Sequence, residues 1–202
     1  MQTLPSDAHL ATPDSRGSSV HSAPGSKALG QWPSLRVLGI DPGTLSTGVA
    51  VVAAGDELHH YTVLKMRASD VQARILACKA ALTCIVQHWQ PTAIAIERYV
   101  WEGHATSQHE FMCWLVGSML DLGMLLTPVA PVRLYTVSEW RRQLIGRSKR
   151  SFRGAYSKQA AERVLSLRLG YASWERGLHD MDAAGVALVA LDTLQSVLPR
   201  SC

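Results

Sequence analysis

The stretch LRVLGIDPGTLSTG, residues 35–48, decides how the rest of the chain is read. Its first half is a short apolar run that halts at Asp41-Pro42-Gly43, a turn in which proline fixes φ and glycine accepts conformations closed to other residues. An apolar strand that stops on a carboxylate leaves that carboxylate near the edge of a sheet. A second apolar run, residues 48–54, leaves the turn. Residues 60–65 alternate as a third strand, with Gly55-Asp56 between the two. Three successive strands joined by short turns predict a meander.

Downstream the period changes. Val71, Ile75, Leu76, Leu82, Ile85 and Val86 recur at helical spacing, and Pro91 stops that helix. Residues 93–96 then read as a fully buried strand ending at Glu97. A long helix is expected over residues 106–126, with Phe111, Trp114, Leu115, Leu122 and Leu125 on overlapping faces. A short strand follows over 133–136, and Ser138 is placed to cap a helix beginning at Glu139. Residues 146–155 form a basic loop. Helices are expected over 156–169 and 181–198, with a loop over 170–178. This order predicts an α/β fold, a mixed five-stranded sheet flanked by helices.

The 202 residues suit one domain with an appendage. Residues 1–34 are rich in Ser, Ala, Pro, Gly and His without apolar periodicity, so a disordered tail is expected there and one domain over 35–202. No stretch reaches the roughly 20 apolar residues that cross a bilayer. The first ten residues lack the charged start and apolar run of a secretory signal, so a cytoplasmic protein is expected. Cys78, Cys84, Cys113 and Cys202 form no C-x-x-C pair and have no histidines at zinc-like spacing. The first three lie in apolar helical stretches and are read as reduced core residues.

Charge is unevenly placed. Between Arg133 and Arg168 ten Lys or Arg face two acids, Glu139 and Glu162, giving +8, while the whole chain carries only +4. A basic segment beside an acidic remainder suggests a surface that meets phosphates, although a merely solvated face would look the same.

The informative acids stand at the ends of buried elements. Asp41 ends the first strand, Glu97 ends the very apolar strand 93–96, and Asp182 opens a helix of small and apolar residues. If the two strands are neighbours, their last residues meet. Carboxylates that converge repel one another unless a cation lies between them, and hard oxygen donors favour Mg²⁺ or Mn²⁺ over zinc. Two such ions, about 3.5–4 Å apart, stabilise both the attacking and the leaving oxygen of a phosphodiester cleavage. Each acid alone has a structural explanation: a turn for Asp41, pairing with Arg98 for Glu97, a helix N-terminus for Asp182. Joint placement is what points to chemistry.

With these residues in view, the chain resembles the RuvC-type Holliday junction resolvases. Asp41-Pro42-Gly43-Thr44-x-x-Thr47-Gly48 looks like their first motif, Ala95-Ile96-Glu97 like their second, and His179-x-x-Asp182-Ala183-Ala184-x-Val186-Ala187 like their last. Lys158-x-x-Ala161 is similar to the opening of their lysine-bearing helix. The first motif alone is shared with sugar kinases and actin-like ATPases; the ordered set is more specific. The resemblance implies an RNase H-like (ribonuclease H) fold, a homodimer, and paired symmetric nicks across a four-way DNA junction. It also implies that Asp41, Glu97, His179 and Asp182 hold two Mg²⁺ ions, which Mn²⁺ can replace, with Lys158 beside them. Three residues apart on a helix, His179 and Asp182 share a face, whereas Asp180 points away and reads as a cap. The chain departs from the family in having Arg141 where a lysine is common, a longer and more basic loop, and Val100 where an aromatic wedge is common.

For DNA, Arg147, Lys149, Arg150, Arg153 and Lys158 are candidate phosphate contacts, with Arg141 before them. Tyr99 and Trp101, just past Glu97, are candidate stacking residues at unpaired bases, or else pack on the next helix. The helix over 106–126 has a second apolar face near Trp114, Gly117 and Ser118 that suits a twofold partner. Three other functions fit parts of the pattern. They are a catalytically idle DNA-binding relative, an actin-like phosphotransferase, and a related nuclease acting on RNA or on other branched DNA. The phosphotransferase reading suffers because that superfamily normally duplicates the core.

Overall fold

In the structure, a computed structural model that describes residues 35–100, 107–146, 158–170 and 179–197, the expected meander is present. It comprises β1 (Arg36–Asp41), β2 (Ser46–Ala53) and β3 (Glu57–Lys65); β4 (Ala93–Glu97) and β5 (Val132–Tyr135) complete a five-stranded sheet in the order β3-β2-β1-β4-β5. β2 runs antiparallel to both neighbours, while β1–β4 and β4–β5 are parallel. Parallel neighbours need crossover connections, and helices supply them. α1 (Val71–Trp89) leads into β4; Asp70 caps it, accepting the Ala73 N–H at 2.7 Å.

Side-chain alternation divides the strands between two cores. Val37, Ala50, Val52, Ala93 and Ala95 point to one face, where they pack with α3 (Val137–Ile145), α4 (Lys158–Leu169) and α5 (Asp180–Val197). Leu38, Ile40, Val49, Val51, Ile94 and Ile96 point to the other, against α1 and α2 (Ser107–Gly117). By the same period of two, Asp41 and Glu97 fall on the α5 face. That face is lined with small residues for a reason. A Cβ at Gly39 would come within 2.0 Å of the Ala183 carbonyl oxygen, and one at Gly48 within 2.0 Å of that of His179. The N-terminal turns of α5 therefore rest almost on the backbone of β1 and β2.

Three expectations are corrected. The helix expected over 106–126 is α2, which stops at Gly117, followed by a 3-10 turn over Leu122–Leu125. Beyond Gly117 the bonds tighten to three-residue spans, such as Met119 N–H to Val116 at 3.0 Å, and the Ser118 hydroxyl donates to the Leu115 carbonyl at 2.7 Å. The apolar stripe continued, but Met119 and Leu122 reach the core from turns. Ser138 is not the cap of α3. Thr136 is, through a reciprocal pair in which the Glu139 N–H donates to Thr136 Oγ1 at 3.1 Å and the Thr136 N–H to Glu139 Oε2 at 2.7 Å. Helix α3 thus begins directly after β5. Among the cysteines, Cys78 is buried, whereas Cys84 and Cys113 are exposed, on the outward sides of α1 and α2. All three are free thiols; Cys202 lies outside the described residues.

Arg168 on α4 ties this layer together, reaching Asp56 in the β2–β3 turn and Asp192 on α5, each at 2.7 Å. No helix among the described residues is long and apolar enough to cross a membrane.

Candidate active site

The sheet register assembles the site. Ile40 and Ile96 are the last paired positions of the parallel strands β1 and β4. Asp41 and Glu97 therefore stand one residue further on, side by side at the carboxyl ends of two central strands. Over them lies the start of α5, with His179 just before it and Asp182 in its first turn. Asp41 and Asp182 are 5% and 8% exposed, so these are charges withdrawn from water.

Each acid is met by a donor from an element other than its own. His179 Nδ1 lies 2.5 Å from Asp41 Oδ2, so one proton is held between the imidazole ring and the carboxylate. The Trp140 indole N–H donates to Glu97 Oε2 at 2.7 Å. Asp182 takes Arg141 Nη2 at 3.1 Å on one oxygen and Lys158 Nζ at 3.2 Å on the other.

The protonation of the cluster follows from burial and crowding. Burial raises the Asp41 carboxyl above its ordinary value, the bond from His179 opposes that, and the Asp182 charge adds to the rise. Glu97 is pushed up to about 8, first by burial and then by the carboxylates of Asp41 and Asp182, against the Trp140 hydrogen bond. His179 is raised because its imidazolium is stabilised by the bond to Asp41. The site is short of positive charge.

Among the described residues no three His, Cys, Asp or Glu side chains are already drawn into a ready-made ligand group; the acids lean on the protein's own donors instead. The donor set nevertheless fits a hard divalent cation. Three carboxylates and an imidazole come together from β1, β4 and the start of α5, and two of the carboxyls are disfavoured as anions where they stand.

Of the residues singled out in the sequence, Asp41, Glu97, His179, Asp182, Lys158 and Arg141 come together. Asp180 does not join them: it is buried, and its Oδ1 accepts the Met181 N–H at 2.9 Å, serving the start of the helix. Tyr99 is half exposed, its ring 5.8 Å from that of His109, and Val100 is exposed. Trp101, Arg147, Lys149, Arg150 and Arg153 lie outside the described residues. Sequence reasoning missed Trp140. The available signal was an indole amid the polar centre of a short helix, since a buried indole N–H requires an acceptor.

Comparison with known proteins agrees with this geometry. The family model described as crossover junction endodeoxyribonuclease RuvC matches residues 37–189. The chain is 28% identical over 147 residues to the crossover junction endodeoxyribonuclease RuvC of Stenotrophomonas maltophilia strain R551-3, covering 66% of this chain and 75% of that one. It is 27% identical over 164 residues to the same-named protein of Leifsonia xyli, covering 77% and 73%. Among solved structures, Thermus thermophilus RuvC in complex with a Holliday junction substrate superposes with a TM-score of 0.64 at 22% identity, covering 80% of this chain and 96% of that one. The yeast mitochondrial Holliday junction resolvase Ydc2 gives 0.52 at 18% identity, covering 79% and 78%. The fold is thus the RNase H-like one. With the family model spanning the sheet, the acids and α5, the chain belongs to the RuvC family of crossover junction endodeoxyribonucleases, which are metal-dependent nucleases.

Proposed function

We propose that this chain resolves four-way DNA junctions by paired symmetric nicks, using Mg²⁺ held by Asp41, Glu97 and Asp182. The observation that carries the reading is the gathering of these three acids from β1, β4 and α5, in a setting that disfavours the negative charge of Asp41 and Glu97. Two Mg²⁺ ions suit the number of carboxylates, and Mn²⁺, with similar oxygen preference, can replace them. Bound there, such ions supply Lewis acidity at the scissile phosphate and a more acidic attacking water.

The chain's own residues do the rest. Arg141 and Lys158 orient Asp182 from opposite oxygens, and Lys158, on the first turn of α4, adds positive charge where a phosphate enters. His179 holds a proton against Asp41 in the metal-free protein; once neutral it serves as a fourth ligand or as the acceptor of a proton from water. The loop with Arg147, Lys149, Arg150 and Arg153 contributes salt-dependent affinity for phosphates, while Tyr99 and Trp101 are placed after Glu97 to stack on junction bases.

Symmetric nicking of two strands calls for two sites related by a twofold axis. Leu76 on α1 and Trp114 on α2, 67% and 52% exposed, supply an apolar surface for a second copy. With Gln72 and Ile75 they line a cavity of about 350 Å³.

The deciding experiment incubates the protein with labelled four-way, three-way and linear duplex DNA, in Mg²⁺ or EDTA. Paired nicks confined to the four-way junction and dependent on Mg²⁺ are expected. Equal cutting of linear duplex or of RNA points to a general nuclease on this fold, and tight binding without cutting in Mg²⁺ to an idle relative.

A further inference from the structure

Trp140 touches the acid cluster yet offers neither charge nor lone pair to a metal. It is fully buried, and its indole nitrogen is solely a donor, here to Glu97 Oε2 at 2.7 Å.

Three features of the fold hold the ring in place. Tyr135 stands opposite Glu97 in the β4–β5 register, and the capping box at Thr136 begins α3 immediately afterwards. Trp140 therefore arrives one turn into a helix whose start is set by the strand pair that carries Glu97, its own N–H bonded to the Thr136 carbonyl at 3.1 Å. On α5 the ring presses against Gly185, where even a methyl group would come within 2.6 Å of Cζ3. The Arg141 guanidinium lies 5.1 Å from the ring centroid while its Nη2 holds Asp182. Sheet, helix and guanidinium thus prevent the indole from turning away. A purely apolar side chain would fill the slot without the burden of a buried N–H, which costs about 1–3 kcal/mol when it lacks a partner.

We infer that Trp140 is a positioning residue for Glu97: its N–H fixes the carboxylate's orientation and occupies Oε2, leaving Oε1 for the shared divalent cation. This rests on the reading of Glu97 as a metal ligand. Donors that orient a metal ligand in this manner are typically worth about 10–100-fold in metal affinity or activity.

The test uses the full chain and Mg²⁺ alone. In ¹⁵N-labelled protein without DNA, the Trp140 indole resonance, assigned by its loss in Trp140→Phe, is expected to move as Mg²⁺ is added. In single-turnover junction cleavage, Trp140→Phe and Trp140→Leu are expected to share a half-saturating Mg²⁺ concentration raised about 10–100-fold. Saturating Mg²⁺ should then restore most of the rate. The two variants leave different gaps and will melt at different temperatures. A merely structural role would make the rate follow the melting temperature and leave the Mg²⁺ midpoint where it is. Either an unmoved indole resonance or an unchanged Mg²⁺ midpoint overturns the inference. Should the unmodified protein show no Mg²⁺-dependent cleavage of junctions, the functional reading fails first and this inference falls with it.

Discussion

On the α5 face of the sheet the strands present Gly39, Gly48, Ala50, Ala93 and Ala95, whereas on the α1–α2 face the neighbouring positions are Leu38, Ile40, Val49, Ile94 and Ile96. Small side chains let α5 descend until its first turn meets the strand ends, so that His179 and Asp182 join Asp41 and Glu97. Large side chains hold α1 and α2 further off, and those helices keep apolar residues such as Leu76 and Trp114 on the outside. Buried charge is concentrated on one face, and the other leaves Leu76 and Trp114 exposed side by side. The first is costly in the isolated chain, because buried carboxylates that repel one another need a cation. The second is costly in water, because exposed aromatic surface needs a partner. Under the proposed function each face would be completed from outside, by metal and DNA on one side and by a second copy on the other.

The severest way to break this contrast is Asp41→Asn. The substitution keeps the shape and removes one charge from a cluster that works through charge. Cleavage of a four-way junction should fall to the uncatalysed background while binding survives or tightens, since a negative group near the phosphates is gone. Gel shift and cleavage assays on one preparation check both halves. Retained cutting would remove the acid face from the chemistry altogether.

Next come the two neighbours at the start of α5. His179→Ala should cost about 10²–10⁴-fold in rate, the usual worth of a positioned acid–base group. His179→Asp should keep part of the activity. Asp180→Ala should act on stability instead, because its carboxylate satisfies the Met181 N–H; about 1 kcal/mol is typical of such helix-start contacts. A rate loss larger for Asp180→Ala than for His179→Ala would reverse the assignment of these two residues.

Much of this was legible in the sequence, and the remainder was hidden for identifiable reasons. Strand ends and acids were readable because Asp41-Pro42-Gly43 and the run before Glu97 are short-range signals. The adjacency of β1 and β4 was not written in either strand; it followed only from the apolarity of residues 93–96, which demanded a central position. The end of α2 was misplaced because Leu122 and Leu126 keep a helical period while the backbone leaves the helix. Cys84 and Cys113 look like core residues by composition, but their side of each helix depends on which turn docks. The alternation that sends Asp41 and Glu97 to the α5 face was present in the string, since positions 37, 39 and 41 match 93, 95 and 97. Trp140 escaped because its partner is 43 residues away, across a strand pairing.

On the opposite face a smaller change is expected to separate folding from assembly. Trp114→Glu places a charge on the exposed apolar surface of α2 without touching the acids. The variant should fold, sediment as a monomer at micromolar concentration, bind single junctions more weakly and lose paired nicking. Sedimentation of the unmodified protein as a fully active monomer would show that this surface serves something other than a twofold partner.

The gentlest test follows the two faces as pH changes in EDTA, when no metal is present. On the α5 face Asp41, Glu97 and His179 are all raised, Glu97 to about 8, so in each case the folded chain holds its proton to higher pH than the unfolded chain does. A group raised in the folded state contributes stability that is complete below its unfolded value and lost as pH rises through its folded one. Between pH 6.5 and 8 the native protein therefore binds more protons than the unfolded chain, and its stability falls with rising pH. His60, lowered by burial, has the opposite sign, but its unfolded imidazole loses its proton near the lower edge of this window, so its opposing slope fades as pH rises toward 8. One retained proton changes stability by about 1.4 kcal/mol per pH unit, and each kcal/mol moves the melting temperature of a domain this size by about 2–4 °C. Mg²⁺ should flatten the slope by taking the place of those protons. Glu97→Gln should flatten it without metal, since an amide oxygen still accepts from Trp140 and carries no charge to repel its neighbours. A melting temperature that rises with pH across this window in EDTA would mean that the acids are better paired by Arg141, Lys158 and His179 than their burial implies, leaving a divalent cation little to neutralise.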